Sequence, residues 1–140
     1  MPKLSFQLVT PERTVLDQEL DSLTCPTTMG QITILPGHIP LVATLVEGEL
    51  VAKNGKNESF IHVDGGFIEV RPNSNVVALA DSAEHHYEID IQKAEEAVAR
   101  AKHEMEKKKM SAEDYAVISS ILNKNQGRLK VARKHSHQRH

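Results

Sequence analysis

The hydrophobic period of this chain changes once, and that change limits what it can fold into. The seven glycines and six prolines all lie at or before Pro72, except Gly127. From Ile91 to Gln126 neither residue occurs. In the first part apolar residues alternate with polar ones. Leu4, Phe6 and Leu8 alternate with Lys3, Ser5 and Gln7, and Ile32 and Ile34 alternate with Gln31 and Thr33. This period of two is that of half-buried strands. Further β-rich runs are Leu41–Val46, Leu50–Lys53, Ser59–Val63, Phe67–Val70 and Val76–Ala80. Turn signals recur at Thr10-Pro11-Glu12, Met29-Gly30, Pro36-Gly37, Asn54-Gly55, Gly65-Gly66 and Pro72-Asn73. Asn54-Gly55 predicts a type I′ hairpin turn, in which both central residues need positive φ. Many short strands at such spacing predict a β-sandwich or barrel.

Near Glu84 the pattern becomes helical. Asp90 is placed to cap a helix whose apolar face is Ala94, Ala97, Val98, Ala101 and Met105. Lys107-Lys108-Lys109 suit its negative C-terminal end. Ser111, with Asp114 three residues on, opens a second helix whose apolar face is Tyr115, Ile118, Ile121, Leu122, Leu129 and Ala132. The predicted fold is therefore α+β. A sandwich of about ten short strands (1–84) precedes an antiparallel two-helix hairpin with a disordered basic tail (85–140). One helix offers mostly alanine, with a single methyl to bury, so docking within the hairpin should be modest.

Charge separates along the same line. The net charge is −2, yet Lys124, Arg128, Lys130, Arg133, Lys134 and Arg139 face no acidic residue from Tyr115 onward. A basic end on an acidic body suits an acidic partner, or only a solvated helix face. Cys25 is the single cysteine, which excludes an internal disulfide and suits an inert core thiol. The longest apolar runs fall far short of the ~20 residues that span a bilayer. The N-terminus lacks a signal-peptide pattern, so a soluble cytoplasmic protein is expected. The histidines of His85-His86 and of 135–140 lack metal-motif spacing and are expected to be a solvated hinge and tail. No phosphate-binding glycine loop or catalytic triad order is present, so neither catalytic nor metal residues are assigned. An acidic sandwich whose aromatics are three Phe, with no Trp anywhere in the chain, is poor material for stacking on bases, which argues against a nucleic-acid module. An enzyme built around His38 and a carboxylate is the other alternative.

A series of segments carries a resemblance. Val9-Thr10-Pro11-Glu12-Arg13 is followed by Gly30-Gln31-Ile32-Thr33-Ile34-Leu35-Pro36-Gly37-His38-Ile39-Pro40-Leu41. Then come Gly65-Gly66-Phe67-Ile68-Glu69-Val70, Val76-Val77-Ala78-Leu79-Ala80-Asp81, Ala83-Glu84 and Ile89-Asp90. Together these resemble the epsilon subunit of bacterial F-type ATP synthases, over about residues 3–101. The resemblance implies a non-catalytic central-stalk subunit, peripheral on the cytoplasmic face of the bacterial plasma membrane. It implies a sandwich that binds the gamma subunit and the c-subunit ring, with Gly30, Gln31, Pro36, Gly37 and His38 near those contacts. It implies helices that extend toward the catalytic alpha and beta subunits and inhibit ATP hydrolysis. The second helix lies beyond the resembling stretch, and its own apolar face and basic end supply the residues expected at that contact: Ile118, Ile121, Leu122 and Leu129, with Arg128, Lys130, Arg133 and Lys134.

Some members of that family also bind a regulatory ATP through a motif Ile/Leu-Asp-x-x-Arg-Ala; no cofactor is required. The matching stretch is Ile89-Asp90-Ile91-Gln92-Lys93-Ala94, with Glu84 before it and Arg100 after it. Lys93 stands where the motif has arginine, and lysine lacks the planar fork that grips phosphate. Glu96 and Glu104, four residues either side of Arg100, offer ordinary intrahelical pairing instead.

Overall fold

The computed structural model describes residues 2–107 and 109–136. It divides into two compact units, Met1–His85 and His86–His140. The first holds eight strands: β1 (Leu4–Val9), β2 (Thr14–Leu20), β3 (Ser22–Thr27), β4 (Gly30–Ile34), β5 (Leu41–Thr44), β6 (Gly48–Asn54), β7 (Asn57–Arg71) and β8 (Asn75–His85). The strand order is β2-β1-β8-β7-β6-β3-β4, with β5 beside β7.

Eight strands do the work of about ten because two serve both layers of the sandwich. The first half of β7 pairs with β6 and its second half with β5, while β8 follows it along the other edge. One layer is thus β5, late β7, early β8, β1 and β2; the other is β4, β3, β6, early β7 and late β8. The crossing point is Gly65-Gly66, which the sequence pattern marks as a turn and the structure places inside β7. Both take positive φ, +75° and +107°. A Cβ on Gly66 would stand 2.0 Å from the Leu79 carbonyl oxygen, so only glycine lets β7 pass that close to β8. The β6–β7 hairpin also differs from expectation. Asn54 pairs with Asn57, and only Gly55 of the loop has positive φ, so the turn is Gly55-Lys56 with glycine first, as in type II′.

Alternation of burial follows the alternation in sequence. Leu4, Phe6, Leu8, Leu23, Cys25, Ile34, Leu50, Ile61, Val63, Ile68 and Ala78 are essentially inaccessible and form one aliphatic core. Burial pushes the Cys25 thiol up to about 12, which leaves it inert.

The second unit is a helix pair, α1 (Ile91–Met105) and α2 (Ala112–Lys134). Asp90 accepts Lys93 N–H at 3.0 Å and Ser111 accepts Asp114 N–H at 3.0 Å, so both expected caps form. α1 ends before the lysine run; Lys107 pairs back to Glu104 at 2.9 Å, and Lys108 lies outside the described residues. The histidines depart from the solvated hinge and tail. His85, His86 and His135 are buried. His85 Nε2–H donates to the Val15 carbonyl at 3.1 Å within the sandwich. His86 meets His135 edge-on within the helical unit, with ring centroids 5.6 Å apart. An imidazole carries a largely apolar ring that can pack inside, here edge-on against its neighbour, which a charge-based reading of the sequence misses. Residues 137–140 of the expected tail lie outside the described residues.

Candidate functional site

The sandwich presents its apolar residues on the wrong side for a solvated sheet. In β8, Val76, Ala78 and Ala80 point to the core, which puts Val77 and Leu79 on the outer face. Cross-strand register then builds two outward rows. Thr44, Phe67, Leu79 and Val9 form one, and Val42, Glu69, Val77 and Gln7 the next. Val42, Phe67 and Leu79 are 67 %, 52 % and 45 % exposed. A contiguous apolar area on a sheet face marks a contact surface. The sequence analysis did not single out this surface. Its signal was present: Val76–Ala80 is apolar throughout, where a half-buried strand should alternate.

A second exposed region lies at the β4–β5 connection. Leu35 and Ile39 are 55 % and 74 % exposed. His38 N–H donates to the Leu35 carbonyl at 3.1 Å, which closes the turn, and the His38 Nδ1–H donates to the Ile39 carbonyl at 2.6 Å. Gly37 N–H donates to Ser74 Oγ at 2.8 Å and so ties this turn to the Pro72–Ser74 turn. Prolines at 36 and 40 restrict it further, so the loop has little freedom to lose on binding. Gly30 and Gln31 are exposed but sit at the opposite end of β4, ~13 Å along the strand. The structure therefore separates them from Pro36, Gly37 and His38.

Off the aliphatic core, His62 of β7 is only 1 % exposed. Its Nε2 lies 2.8 Å from Glu47 Oε2, and its strand neighbours are Glu49 of β6 and Glu84 of β8. Burial holds the imidazole below its ordinary value, against the opposing pull of Glu47, Asp64 and Glu84. The neutral ring then donates from Nε2–H to the Glu47 carboxylate.

In the helical unit, Ile89 and Ala94 are buried, whereas Asp90, Lys93 and Arg100 are exposed. Asp90 is committed to the cap, and Ala94 to packing. Lys93 and Arg100 share a face ~10 Å apart along α1. Arg100 borders a cavity of about 580 Å³ between α1 and α2, where Ala97 and Ala101 oppose Ile118 and Ile121. Glu84 belongs to β8, in the sandwich unit. Leu129 is buried, Ile118 and Leu122 are half-buried, and Ile121 is 45 % exposed. Arg128 donates to Asn125 Oδ1 at 2.8 Å and Arg133 to Glu95 Oε2 at 2.6 Å, while Lys130 and Lys134 are exposed. Among the described residues no three His, Cys, Asp or Glu side chains are placed to hold a metal ion.

Residues 3–86 match the family described as ATP synthase, Delta/Epsilon chain, beta-sandwich domain. The chain is 46 % identical over 134 residues to an ATP synthase epsilon chain of Dehalococcoides mccartyi, covering 96 % of this chain and 95 % of that one. It is 37 % identical over 132 residues to an ATP synthase epsilon chain of Halalkalibacterium halodurans, covering 94 % and 98 %. The fold resembles a chain in the Euglena gracilis mitochondrial ATP synthase structure (OSCP/F1/c-ring). The TM-score there is 0.71 at 19 % identity, over 100 % of this chain and 83 % of that one. It also resembles a chain in the Tetrahymena thermophila central stalk/c-ring structure, with a TM-score of 0.60 at 15 % identity, over 93 % and 96 %. With the sandwich matched from end to end and the relatives matched through both helices, this chain belongs to the ATP synthase delta/epsilon family, as an epsilon chain.

Proposed function

We propose that the chain is a non-catalytic rotor subunit of a proton-translocating F-type ATP synthase, whose sandwich couples the gamma subunit to the c ring and whose helices inhibit ATP hydrolysis. The observation that carries this reading is the likeness, over nearly the whole length, to ATP synthase epsilon chains. The outward apolar rows around Phe67 and Leu79 and the stiff Pro36–Pro40 turn supply two contact regions on one rigid unit, which a torque-bearing coupling needs. Gamma and the c ring are the partners assigned to them. The alpha and beta subunits are the partners of the extended helices, through Ile118, Ile121, Leu122 and Leu129 and the cations Arg128, Lys130, Arg133 and Lys134. Among the described residues no helix is long and apolar enough to cross a membrane, which suits attachment to the cytoplasmic membrane face through the complex.

A regulatory ATP on the helical hairpin belongs to the same reading. Lys93 and Arg100 would face the phosphates, with Asp90 and Ala94 holding the start of α1 in shape. At a hundredfold excess over Kd such a ligand stabilises the folded hairpin by ~2.7 kcal/mol, enough to bias a two-state element. The test is ATP hydrolysis by the cognate catalytic head with gamma, with full-length chain or a chain ending at Glu88. Inhibition by the full-length form and binding without inhibition by the short one is the expected result. Failure of both to bind would overturn the rotor assignment. Direct ATP binding, compared with Asp90→Ala and Lys93→Ala, tests the nucleotide separately.

A further inference from the structure

Three contacts converge on the β6–β7 hairpin of the sandwich. Lys3 Nζ donates to Asn54 Oδ1 at 2.9 Å and is paired with the Asp21 carboxylate. The second Asp21 oxygen accepts the Gly55 N–H at 2.5 Å. The Asp21 carboxyl is held below its ordinary range, first by the Lys3 hydrogen bond and then by the Gly55 N–H. Asp21 is therefore ionised throughout the neutral range.

An Asn-Gly pair is the chemically fragile point of a chain, because glycine has no side chain to shield its amide nitrogen. That nitrogen can attack the preceding side-chain amide. Here a bond would form between Gly55 N and Asn54 Cγ, and the Cγ–Nδ2 bond would break. The Gly55 amide proton goes to a solvent base, and the departing nitrogen takes up a proton and leaves as ammonia. Water then opens the five-membered imide at either carbonyl, giving aspartate or isoaspartate at position 54. No oxidant or reductant is needed.

We propose that Asn54 is a latent self-modification site, held dormant by Lys3 and Asp21. Both reacting groups are tied. Lys3 holds Asn54 Oδ1 and so restrains the rotation that would bring Cγ over the Gly55 nitrogen. Asp21 holds the Gly55 proton, and a carboxylate at that distance opposes the anion that its loss would create. A carboxylate of lowered basicity is too weak to act as the base that removes it. Release of the clamp has a structural consequence. Isoaspartate would lengthen the backbone by one methylene where Asn54 pairs with Asn57, and would break the register at the end of β6 and the start of β7.

The test is the rate of deamidation at Asn54 in the full chain under warm, mildly alkaline conditions, read by peptide mass and isoaspartate labelling. Asn73, which lies outside the clamp, is the internal reference. Asn54 of the unmodified chain should react much more slowly than in the urea-unfolded chain. Asp21→Ala should raise the folded-state rate by roughly tenfold, as loss of one charge-assisted hydrogen bond implies. Lys3→Met should raise it less, with Asn73 unmoved in both. Should Asn73 accelerate as well, the variant has unfolded, and the unmodified chain decides. At ~1 M salt, where the Debye length is ~3 Å, screening of the half-exposed Lys3–Asp21 pair should speed Asn54 alone. An Asn54 rate unchanged by both substitutions and by salt would overturn the proposal, as would a native rate equal to the unfolded one.

Discussion

At the scale of single residues, His62 links stability to pH. Its native value is depressed by burial, so the folded chain keeps a neutral imidazole where the unfolded chain, near 6.5, takes up a proton. Stability is therefore undiminished above ~6.5 and falls as the pH drops from there toward the native value, by at most ~1.4 kcal/mol per pH unit from this group. Urea unfolding of the intact chain from about pH 7 down to about pH 5, with His62→Gln in parallel, measures it; the glutamine form should show the shallower slope. Glycines permit a contrast of a different kind. Gly66→Ala should cost ~3 kcal/mol or more, because the new methyl meets the Leu79 carbonyl. Gly37→Ala, whose Cβ meets nothing within 4 Å, should cost only the ~1–2 kcal/mol of a left-handed backbone. Thermal melts of the two variants compare them directly. Neither fact was legible beforehand: a histidine beside Ile61 and Val63 does not show whether its own side of the strand is covered, and Gly-Gly reads the same in a turn as in a strand that another backbone crosses.

Elements were legible where one local rule decides them. Asp90 and Ser111 act as caps, and β1 alternates as its residues dictate. Long-range pairing was not, because nothing within β7 shows that its two halves join different layers. The face of α2 was only half readable. Tyr115, Val117 and Ile121 remain exposed near the interhelical turn, whereas Leu129, Val131 and Ala132 are buried toward the other end. A heavier side chain on α2 cannot by itself close against alanines on α1, and the cavity beside Ile118 is the result. Leu129→Ala should accordingly destabilise the hairpin by ~2–3 kcal/mol, and Ile121→Ala by less than ~1 kcal/mol. Amide-exchange protection in the middle of α1 would rank the two.

On the scale of the whole molecule, the two units are built for different kinds of contact. The sandwich has a continuous aliphatic core and a second, outward apolar surface; the hairpin has a thin seam and a basic end with no acidic residue of its own after Asp114. A rigid unit with an apolar face suits a permanent partner, because desolvation of large side chains gives affinity without ordering cost. A thinly packed unit held partly by exposed pairs such as Arg133–Glu95 suits a reversible one, since such pairs add at most ~1 kcal/mol. The two roles should then come apart under mutation. Phe67→Glu places a charge amid the outward rows without touching the core, so the variant should keep its thermal stability and lose at least about tenfold in affinity for a head–gamma complex, one buried aromatic anchor being worth more than that. Inhibition of ATP hydrolysis should be lost with it, and recovered at higher concentrations of the variant. Removal of the hairpin after Glu88 should do the opposite, leaving affinity and abolishing inhibition at every concentration. Titration of both variants against hydrolysis separates anchor from brake. Full affinity in the Phe67→Glu chain would show that the partner sits elsewhere on the sandwich, with the Pro36–Pro40 turn the next surface to alter.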